Sequence, residues 1–139
     1  MLFLHFQIGN DSFALATDQI VEIVPLVDLQ KVRQAPEAVA GSFEYRGCFI
    51  PVVDLCALEL NRPTLRRLST RIIVVRRPAD PTALIGLIAE NATEVLRLDP
   101  AEFAPFAQGP HSLVQRVELE DLLPSALLAF LDPELVDSQ

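Results

Sequence analysis

The sequence of 139 residues contains no tryptophan, one tyrosine, two histidines and two cysteines, and each scarcity narrows the possible functions. Cys48 and Cys56 are the only thiols, and two thiols make no disulfide framework. Neither has Cys or His neighbours at the spacing of a zinc site, so we expect no metal site. We interpret both as ordinary buried or half-buried thiols.

Basic residues are also few, with 11 Lys and Arg against 19 Asp and Glu and a net charge of −8. Binding to a nucleic-acid backbone requires clustered positive charge, so we expect no nucleic-acid partner. The one basic cluster runs from Arg62 to Arg71 and is interrupted by Pro63 and two leucines. We interpret it mainly as a solvated loop and give little weight to an anion site.

Long hydrophobic runs are missing as well. The apolar segment at residues 1–8 is short and alternating, which is typical of a strand and not of a signal peptide. No run reaches the length that spans a bilayer. We therefore expect a soluble, cytoplasmic protein without direct membrane insertion.

Half of the residues are hydrophobic, so a chain of this length can bury a substantial core. Because aromatic residues make up only 6%, that core must consist mostly of Leu, Val, Ile and Ala. We expect one domain over residues 1–139.

The stretch from Arg46 to Leu55, RGCFIPVVDL, combines a turn, a strand and the start of a helix. Asp54 is suited to cap that helix, because its carboxylate can accept from the free amides of the first turn. Pro51 lacks an N–H, so we expect this strand to lie at an edge or a barrel rim at that point. The same criteria predict further strands at residues 2–8, 13–16, 21–24, 39–45, 71–77, 83–89 and 113–119, a turn with renewed extension at 90–98, and a last helix carrying Leu122 to Phe130.

A weak internal repeat relates the two halves of the chain. QIVEIV resembles NATEVL, which sets Glu22 against Glu94, and IPVVDLCAL resembles VQRVELEDL, which sets Asp54 against Glu118. Two similar halves of short strands predict a pair of small β barrels. The second half is shorter and lacks an evident counterpart of the strand at Val39–Tyr45.

Catalytic patterns are not found. His5 lies in the middle of a strand, and His111 stands beside Ser112 in a proline-rich loop. There is no Gly-rich phosphate loop, no HExxH and no GxSxG, and the carboxylates lie on separate elements. The sequence therefore predicts no enzyme, no catalytic residue and no cofactor. A hydrolase built on His111 and Ser112 would be supported only if His111→Ala abolished some measured activity.

RGCFIPVVDL, with VEIV upstream and RIIVV and LIGLIAENATEVL downstream, resembles the CheW-like domain, the adaptor of bacterial chemosensory systems. The match runs in order from Leu2 to about Leu98 and resumes in LVQRVELEDLL. The phrases RRLSTR and DLLPSAL are similar to adaptors of the variant pathways that control surface behaviour through a diguanylate cyclase.

This resemblance implies an all-β fold of two small SH3-like barrels of five strands each, with a groove between them and short helices including a C-terminal one. It implies a non-catalytic scaffold that couples the cytoplasmic tip of a methyl-accepting chemoreceptor to the regulatory domain of a CheA-type histidine kinase. Carried over residue by residue, the receptor-binding groove falls on Ile20 and Glu22 and on Arg46 and Gly47. An apolar helical hairpin can lie in such a groove.

Each of these residues has a simpler interpretation. Ile20 fits the core equally well, and Glu22 fits a solvated strand carboxylate. Arg46 suits an exposed turn, and Gly47 suits a backbone position with positive φ.

The interval from Ala107 to Ser112 is too short for the strand that the family has before its last one. Either the second barrel is open, or a partner chain supplies the strand, which would favour a homodimer or strand exchange. The rival hypothesis is a small-molecule sensor with its ligand between the barrels.

Overall fold

The computed structural model describes residues 1–78, 80–103, 107–108 and 113–131. Within these residues the chain forms nine strands, three short α-helices, and 3₁₀ turns at Thr17–Gln19 and Pro100–Phe103. In chain order the elements are β1 (Leu2–Ile8), β2 (Asp11–Ala16), β3 (Ile20–Pro25), β4 (Val39–Tyr45), β5 (Cys48–Asp54), α1 (Leu55–Leu60), β6 (Arg71–Arg76), β7 (Leu84–Arg97), β8 (Ala107–Gln108), β9 (Leu113–Arg116), α2 (Leu119–Leu122) and α3 (Ser125–Phe130).

The strands form two units of the same topology that share β7. In the first unit the strand order is β3, β6, the first half of β7, β5 and β4. The β7–β5 pair is parallel and the other pairs are antiparallel. In the second unit the strand order is the second half of β7, β1, β2, β9 and β8. Here the β2–β9 pair is parallel and the other pairs are antiparallel. Among the described residues no ladder joins the two end strands of either unit.

This topology confirms the predicted repeat. Glu22 lies on β3 and Glu94 on the second half of β7, which hold equivalent positions in the two units. Asp54 and Glu118 are the N-caps of α1 and α2, the helices that follow the two equivalent strands. The Asp54 carboxylate accepts from two amides of α1, and Glu118 forms a reciprocal capping box with Asp121.

The predicted turn within residues 90–98 is wrong, because β7 continues unbroken from Leu84 to Arg97. Instead of a turn the strand carries a bulge: Gln7 of β1 faces Glu90, whereas His5 faces Glu94. Asn91 lies in this bulge with a positive φ of 49°, a conformation that Asn tolerates better than most residues. The residues whose composition resembles that of a turn therefore lie where β7 passes from the first unit to the second.

The second unit has the strand that the sequence did not show. Ala107–Gln108 pairs with Leu113 and Val114 of β9, as β4 pairs with β5 in the first unit. It comprises two residues against the seven of β4, so the interval holds a shortened strand. The second unit is accordingly less complete than the first.

The C-terminal helix differs from the expectation in one respect. One helix was predicted through Leu122 to Phe130, but Leu119–Leu122 and Ser125–Phe130 form separate helices. Pro124 is the N-cap of α3. The predicted end of this helix at residues 132–133, and the pair His111 and Ser112, lie outside the described residues.

Within the described residues, the strand alternation divides the core into three apolar clusters. In β6, Ile72 and Val74 point into the first unit, whereas Ile73 and Val75 face the second. The largest cluster includes residues of both units and of the three α-helices, and thus fills the space between the units. The interior of the second unit is smaller, with Phe3, Ala14, Ala16 and Val114 buried in it.

Two features shape the β4–β5 pair of the first unit, and the second, the place of Pro51, matches the sequence prediction. The register of β4 against β5 shifts between Val39 and Gly41, as at a β-bulge. At Gly41 an added Cβ would lie 2.6 Å from the carbonyl oxygen of Gln30, so the chain needs glycine there. Pro51 lies in the part of β5 that pairs with β4 alone, because the pairing with β7 begins at Val52.

Candidate functional site

The β4–β5 hairpin turns at Arg46 and Gly47. Both residues have positive φ, 50° and 85°, as a two-residue turn requires if it is to match the twist of its strands. A Cβ added at Gly47 would meet no atom within 4 Å, so the backbone conformation and not space favours glycine. Arg46 occupies the same strained region with a long side chain, and such strain is often found where a side chain is displayed for function.

Glu22 connects this hairpin to β3. Its Oε1 accepts one hydrogen bond from the Tyr45 hydroxyl and another, at 3.0 Å, from Nη2 of Arg46. The Arg46 guanidinium carbon also lies 5.0 Å from the centroid of the Tyr45 ring. We call Glu22, Tyr45 and Arg46 the hairpin cluster.

The hairpin cluster has a buried base and an exposed top. Tyr45 is buried, whereas 69% of the Arg46 side chain and 42% of the Glu22 side chain are exposed. An ion pair this exposed contributes about 0–1 kcal/mol to stability, so folding alone does not account for it. The hydrogen bond to the Glu22 carboxylate, together with burial, raises the pKa of Tyr45 above its usual value.

Of the four predicted receptor-binding residues, Glu22, Arg46 and Gly47 are brought together at this hairpin. Ile20 lies at the start of β3, is half-buried, and packs against the cluster between the units. Ile20 is therefore a core residue in part, and the rest of its side chain is accessible. The simple interpretation of Glu22 as a solvated carboxylate is incomplete, since it accepts from two side chains.

A cavity of about 330 Å³ lies beside the hairpin cluster. It is lined on one side by the hairpin and the start of β5, and on the other by the start of β7, the residues just before it, Arg77 and Leu131. Phe49 is 63% exposed at its edge, and Cys48 is also exposed. The expectation that both thiols are buried or half-buried is thus wrong for Cys48 and right for Cys56.

Sequence reasoning did not single out Tyr45 and Phe49. The only tyrosine of the chain stands directly before the turn, and a Phe after the turn is at the position where alternation exposes a side chain. These two signals were available in the sequence, but neither distinguishes a binding residue from ordinary strand packing.

Asp54 forms a second polar centre at the other end of β5. It is buried, and its carboxylate accepts from the amides of Cys56 at 3.0 Å and Ala57 at 3.2 Å. Thr64 donates its amide at 3.0 Å and its hydroxyl to the same carboxylate. With every donor supplied from within the chain, Asp54 is a structural carboxylate that fixes α1 and the following loop.

Glu90, at the crossing of β7, gathers donors from three segments. It accepts from the amide of Gly9 at 3.2 Å, the amide of Leu65 at 3.1 Å and the thiol of Cys56 at 3.3 Å, and Arg62 lies 3.5 Å away. Burial opposes ionisation, but these hydrogen bonds and the Arg62 charge together hold the pKa of Glu90 below its usual value. Burial raises the pKa of the Cys56 thiol.

The described residues offer little for catalysis. No group of three or more His, Cys, Asp and Glu in this part of the chain is placed to hold a metal ion. His5 lies 4.0 Å from the carboxylate of Glu94 on the neighbouring strand. No helix in the described ranges is long and apolar enough to cross a bilayer. The geometry is that of a displayed charged cluster beside a cavity, which suits recognition of another molecule.

Comparison with known proteins places this geometry in a family. The CheW-like domain model matches residues 2–134. The chain is 27% identical over 103 residues to the chemotaxis protein CheW of Helicobacter pylori, covering 74% of this chain and 61% of that protein. It is 22% identical over 145 residues to the chemotaxis protein CheW of Klebsiella aerogenes, covering 94% and 86% of the two chains.

A solved structure has the same fold. The scaffolding protein TtCheW from Thermoanaerobacter tengcongensis superposes with a TM-score of 0.78 and 21% identity, covering 91% of this chain and 89% of that one. This similarity confirms the predicted fold of two SH3-like barrel units. In the described part of the chain the sheet of neither unit is closed, whereas an open barrel was expected only for the second. The CheW family consists of non-catalytic scaffolds. With the family model covering nearly its whole length, this chain belongs to the CheW-like domain family.

Proposed function

We propose that this protein is a non-catalytic scaffold that couples the cytoplasmic tip of a methyl-accepting chemoreceptor to the regulatory domain of a histidine kinase. The observation that carries the proposal is the hairpin cluster, in which Glu22 on β3 and Arg46 at the β4–β5 turn share a hydrogen bond. These residues are where the family resemblance puts the receptor groove. Relatives named as chemotaxis proteins support the same assignment.

The surroundings of the cluster suit a helical hairpin tip. The exposed ring of Phe49 and the apolar wall of the adjoining cavity can receive apolar side chains of a helix. Arg46 uses one of its nitrogens on Glu22, so the rest of its planar fork is free to bind a receptor carboxylate or a helix carbonyl. Glu22 and the Tyr45 ring hold that fork in place before the partner arrives, which reduces the entropy lost on binding.

The remaining parts of the proposal rest on the fold. We assign the whole chain, residues 1–139, to one domain located in the cytoplasm, where the receptor tip and the kinase are found. Among the described residues, β8 covers only a short part of the edge of the second unit, and a homodimer or strand exchange would protect such an edge. The rival hypothesis of a small-molecule sensor gains no support from the space between the units, because packed side chains fill it.

The proposal is tested by titrating a purified receptor tip into the wild-type protein and into Arg46→Glu. We expect the substitution to reduce receptor affinity by about tenfold or more, because it removes an attractive fork and adds repulsion next to Glu22. Circular dichroism should be unchanged, since an exposed charge reversal has little effect on stability.

Arg97→Glu is the matched control, since Arg97 is exposed on β7 in the second unit and the charge change is the same. It should bind the receptor tip like the wild type. Equal affinity of wild type and Arg46→Glu, with both proteins folded, would exclude the hairpin cluster as the receptor site.

A further inference from the structure

The loop between α1 and β6, residues 61–70, has a fixed shape although it contains no strand or helix. We call it the arginine loop. Thr64 is held by the buried Asp54, and the amide of Leu65 is held by Glu90. Thr70 donates its hydroxyl to the Leu65 carbonyl, which closes the loop on itself. A segment anchored to two buried carboxylates presents its remaining side chains in a defined arrangement.

The positive charge of this loop is poorly neutralised. Arg62 lies 3.5 Å from Glu90, but Arg66 and Arg67 are exposed and have no acidic side chain within ion-pair distance in the described part of the chain. Arg71, just after the loop, donates to backbone carbonyls. In a chain with a net charge of −8, uncompensated arginines concentrated on one loop are unexpected.

The same loop exposes large apolar side chains. Leu68 is 95% exposed and Leu65 is 45% exposed. The loop around them is hydrogen-bonded: the Arg67 amide donates to the Thr70 hydroxyl, and the Ser69 hydroxyl donates to the Asn91 side-chain oxygen. An apolar side chain held out into water next to free arginines is the composition of a protein-binding surface.

A cavity of about 410 Å³ adjoins the arginine loop. Arg62 and Arg66 form part of its rim, and Leu26, Leu29 and Ile88 supply apolar walls. It shares no lining residue with the cavity at the hairpin cluster and lies at the opposite end of β5, next to Asp54. The surface is therefore distinct from the proposed receptor site.

We propose that the arginine loop and this cavity bind an acidic segment of a partner protein, one that carries a large apolar side chain among its carboxylates. The apolar side chain enters the cavity, and the carboxylates face Arg62, Arg66 and Arg67. Charge complementarity favours this occupant, and the apolar walls favour a peptide over a phosphate group. A nucleic acid or an anionic membrane carries far more negative charge than a short acidic segment and extends beyond the loop, so the net charge of −8 repels it more strongly.

Glu37 allows a second prediction of opposite direction, an increase in affinity for the acidic segment. It is exposed and lines the same cavity, where its charge opposes an acidic ligand. Removing that charge should therefore strengthen binding, whereas reversing the arginines should weaken it. A structural role for the loop predicts neither effect.

The test uses the full chain and a fluorescein-labelled synthetic peptide in which leucines alternate with glutamates. We expect the peptide to bind and to shift the amide resonances of the arginine loop. Arg66→Glu combined with Arg67→Glu should reduce its affinity by about tenfold or more, and Glu37→Gln should raise it by roughly two- to fivefold. Because Arg66 and Arg67 donate no described side-chain hydrogen bond, the double variant should remain folded; Arg66→Gln with Arg67→Gln is the milder variant and should bind at an intermediate affinity.

Two controls identify the basis of any binding. Arg97→Glu carries the same type of charge change on the other unit and should leave the affinity unchanged, and a peptide with alanine for leucine should bind more weakly. The proposal is overturned if the peptide fails to bind, or if Arg97→Glu lowers affinity as much as the double variant. It is also overturned if vesicles of anionic lipid bind through these arginines while the peptide does not. Sedimentation showing self-association that the double variant abolishes would make a second copy of the chain the occupant instead.

Discussion

Two side chains of the β4–β5 hairpin, Tyr45 and Arg46, donate to one carboxylate oxygen of Glu22 on β3, and this arrangement decides how Arg46 is presented. Glu22 accepts from Tyr45 below and from Arg46 above, so the position of the buried phenol affects the position of the exposed guanidinium. In the proposed receptor site, Tyr45 and Glu22 thus orient Arg46 for its partner. The chain has no other tyrosine and no tryptophan, which makes the phenol a specific spectroscopic reporter of this cluster.

The pKa of Tyr45 measures the coupling directly. The hydrogen bond to Glu22 is the largest cause of its raised pKa. Because the folded state then favours the neutral phenol, the stabilisation is fully present below the unfolded pKa and is lost as pH rises through the folded pKa. We predict that Glu22→Gln lowers the midpoint of phenolate absorbance in an alkaline titration.

Arg46→Gln serves as a control of opposite sign, since the Arg46 charge lowers the pKa of Tyr45 and its removal should raise the midpoint further. Circular dichroism at each pH confirms that the folded state is the one titrated. Identical midpoints in the wild type and in Glu22→Gln would contradict the contact between the two side chains.

At the scale of elements, the bulge in β7 is the feature that joins the two units. Glu90 stands at this point and accepts from the β1–β2 turn through Gly9 and from the arginine loop through Leu65. One buried carboxylate thus connects a strand, a turn and a loop that are remote in sequence. Its loss should affect stability more than the loss of any exposed charge.

We predict that Glu90→Gln lowers the free energy of unfolding at neutral pH by roughly 1–3 kcal/mol, because a neutral amide cannot accept equally from charged and backbone donors. The pKa of Glu90 is lowered in the folded state, so its stabilisation is present above the unfolded pKa and is lost as pH falls through the folded pKa. The difference between variant and wild type should therefore shrink in acid. Urea unfolding at a series of pH values measures it, and a difference that is the same at neutral and acid pH would contradict this role.

The elements that could be predicted from sequence are those with a strong local pattern. Alternation and β-branched runs predicted β1 and β6, and the Asp54 cap predicted the start of α1. The continuity of β7 was not predictable locally, because Asn91 and its neighbours have the composition of a turn, whereas pairing with β1 on both sides of the bulge keeps the strand continuous. A strand as short as β8 has no periodicity to detect, and only its partner β9 defines it.

At the scale of the whole molecule, the structure is a duplication in which β7 belongs to both halves. The repeat was visible in sequence because Asp54 and Glu118 each follow a strand and cap a helix. The site was only partly visible. Glu22, Arg46 and Gly47 followed from the family resemblance, whereas the contact of Tyr45 with Glu22 and the cavity beside the hairpin depend on packing between β3 and β4, which sequence spacing does not report.

The central claim is that the hairpin surface of the first unit binds another protein, and the most direct test is the rate at which Cys48 reacts with a thiol reagent. Cys48 is exposed and lines the same cavity as Tyr45 and Arg46, whereas Cys56 is buried with a raised pKa. In the free protein we predict one fast and one slow thiol, and with saturating receptor tip we predict that the fast reaction slows by about tenfold or more. A Cys48 rate that does not change when the receptor tip is bound would contradict the account.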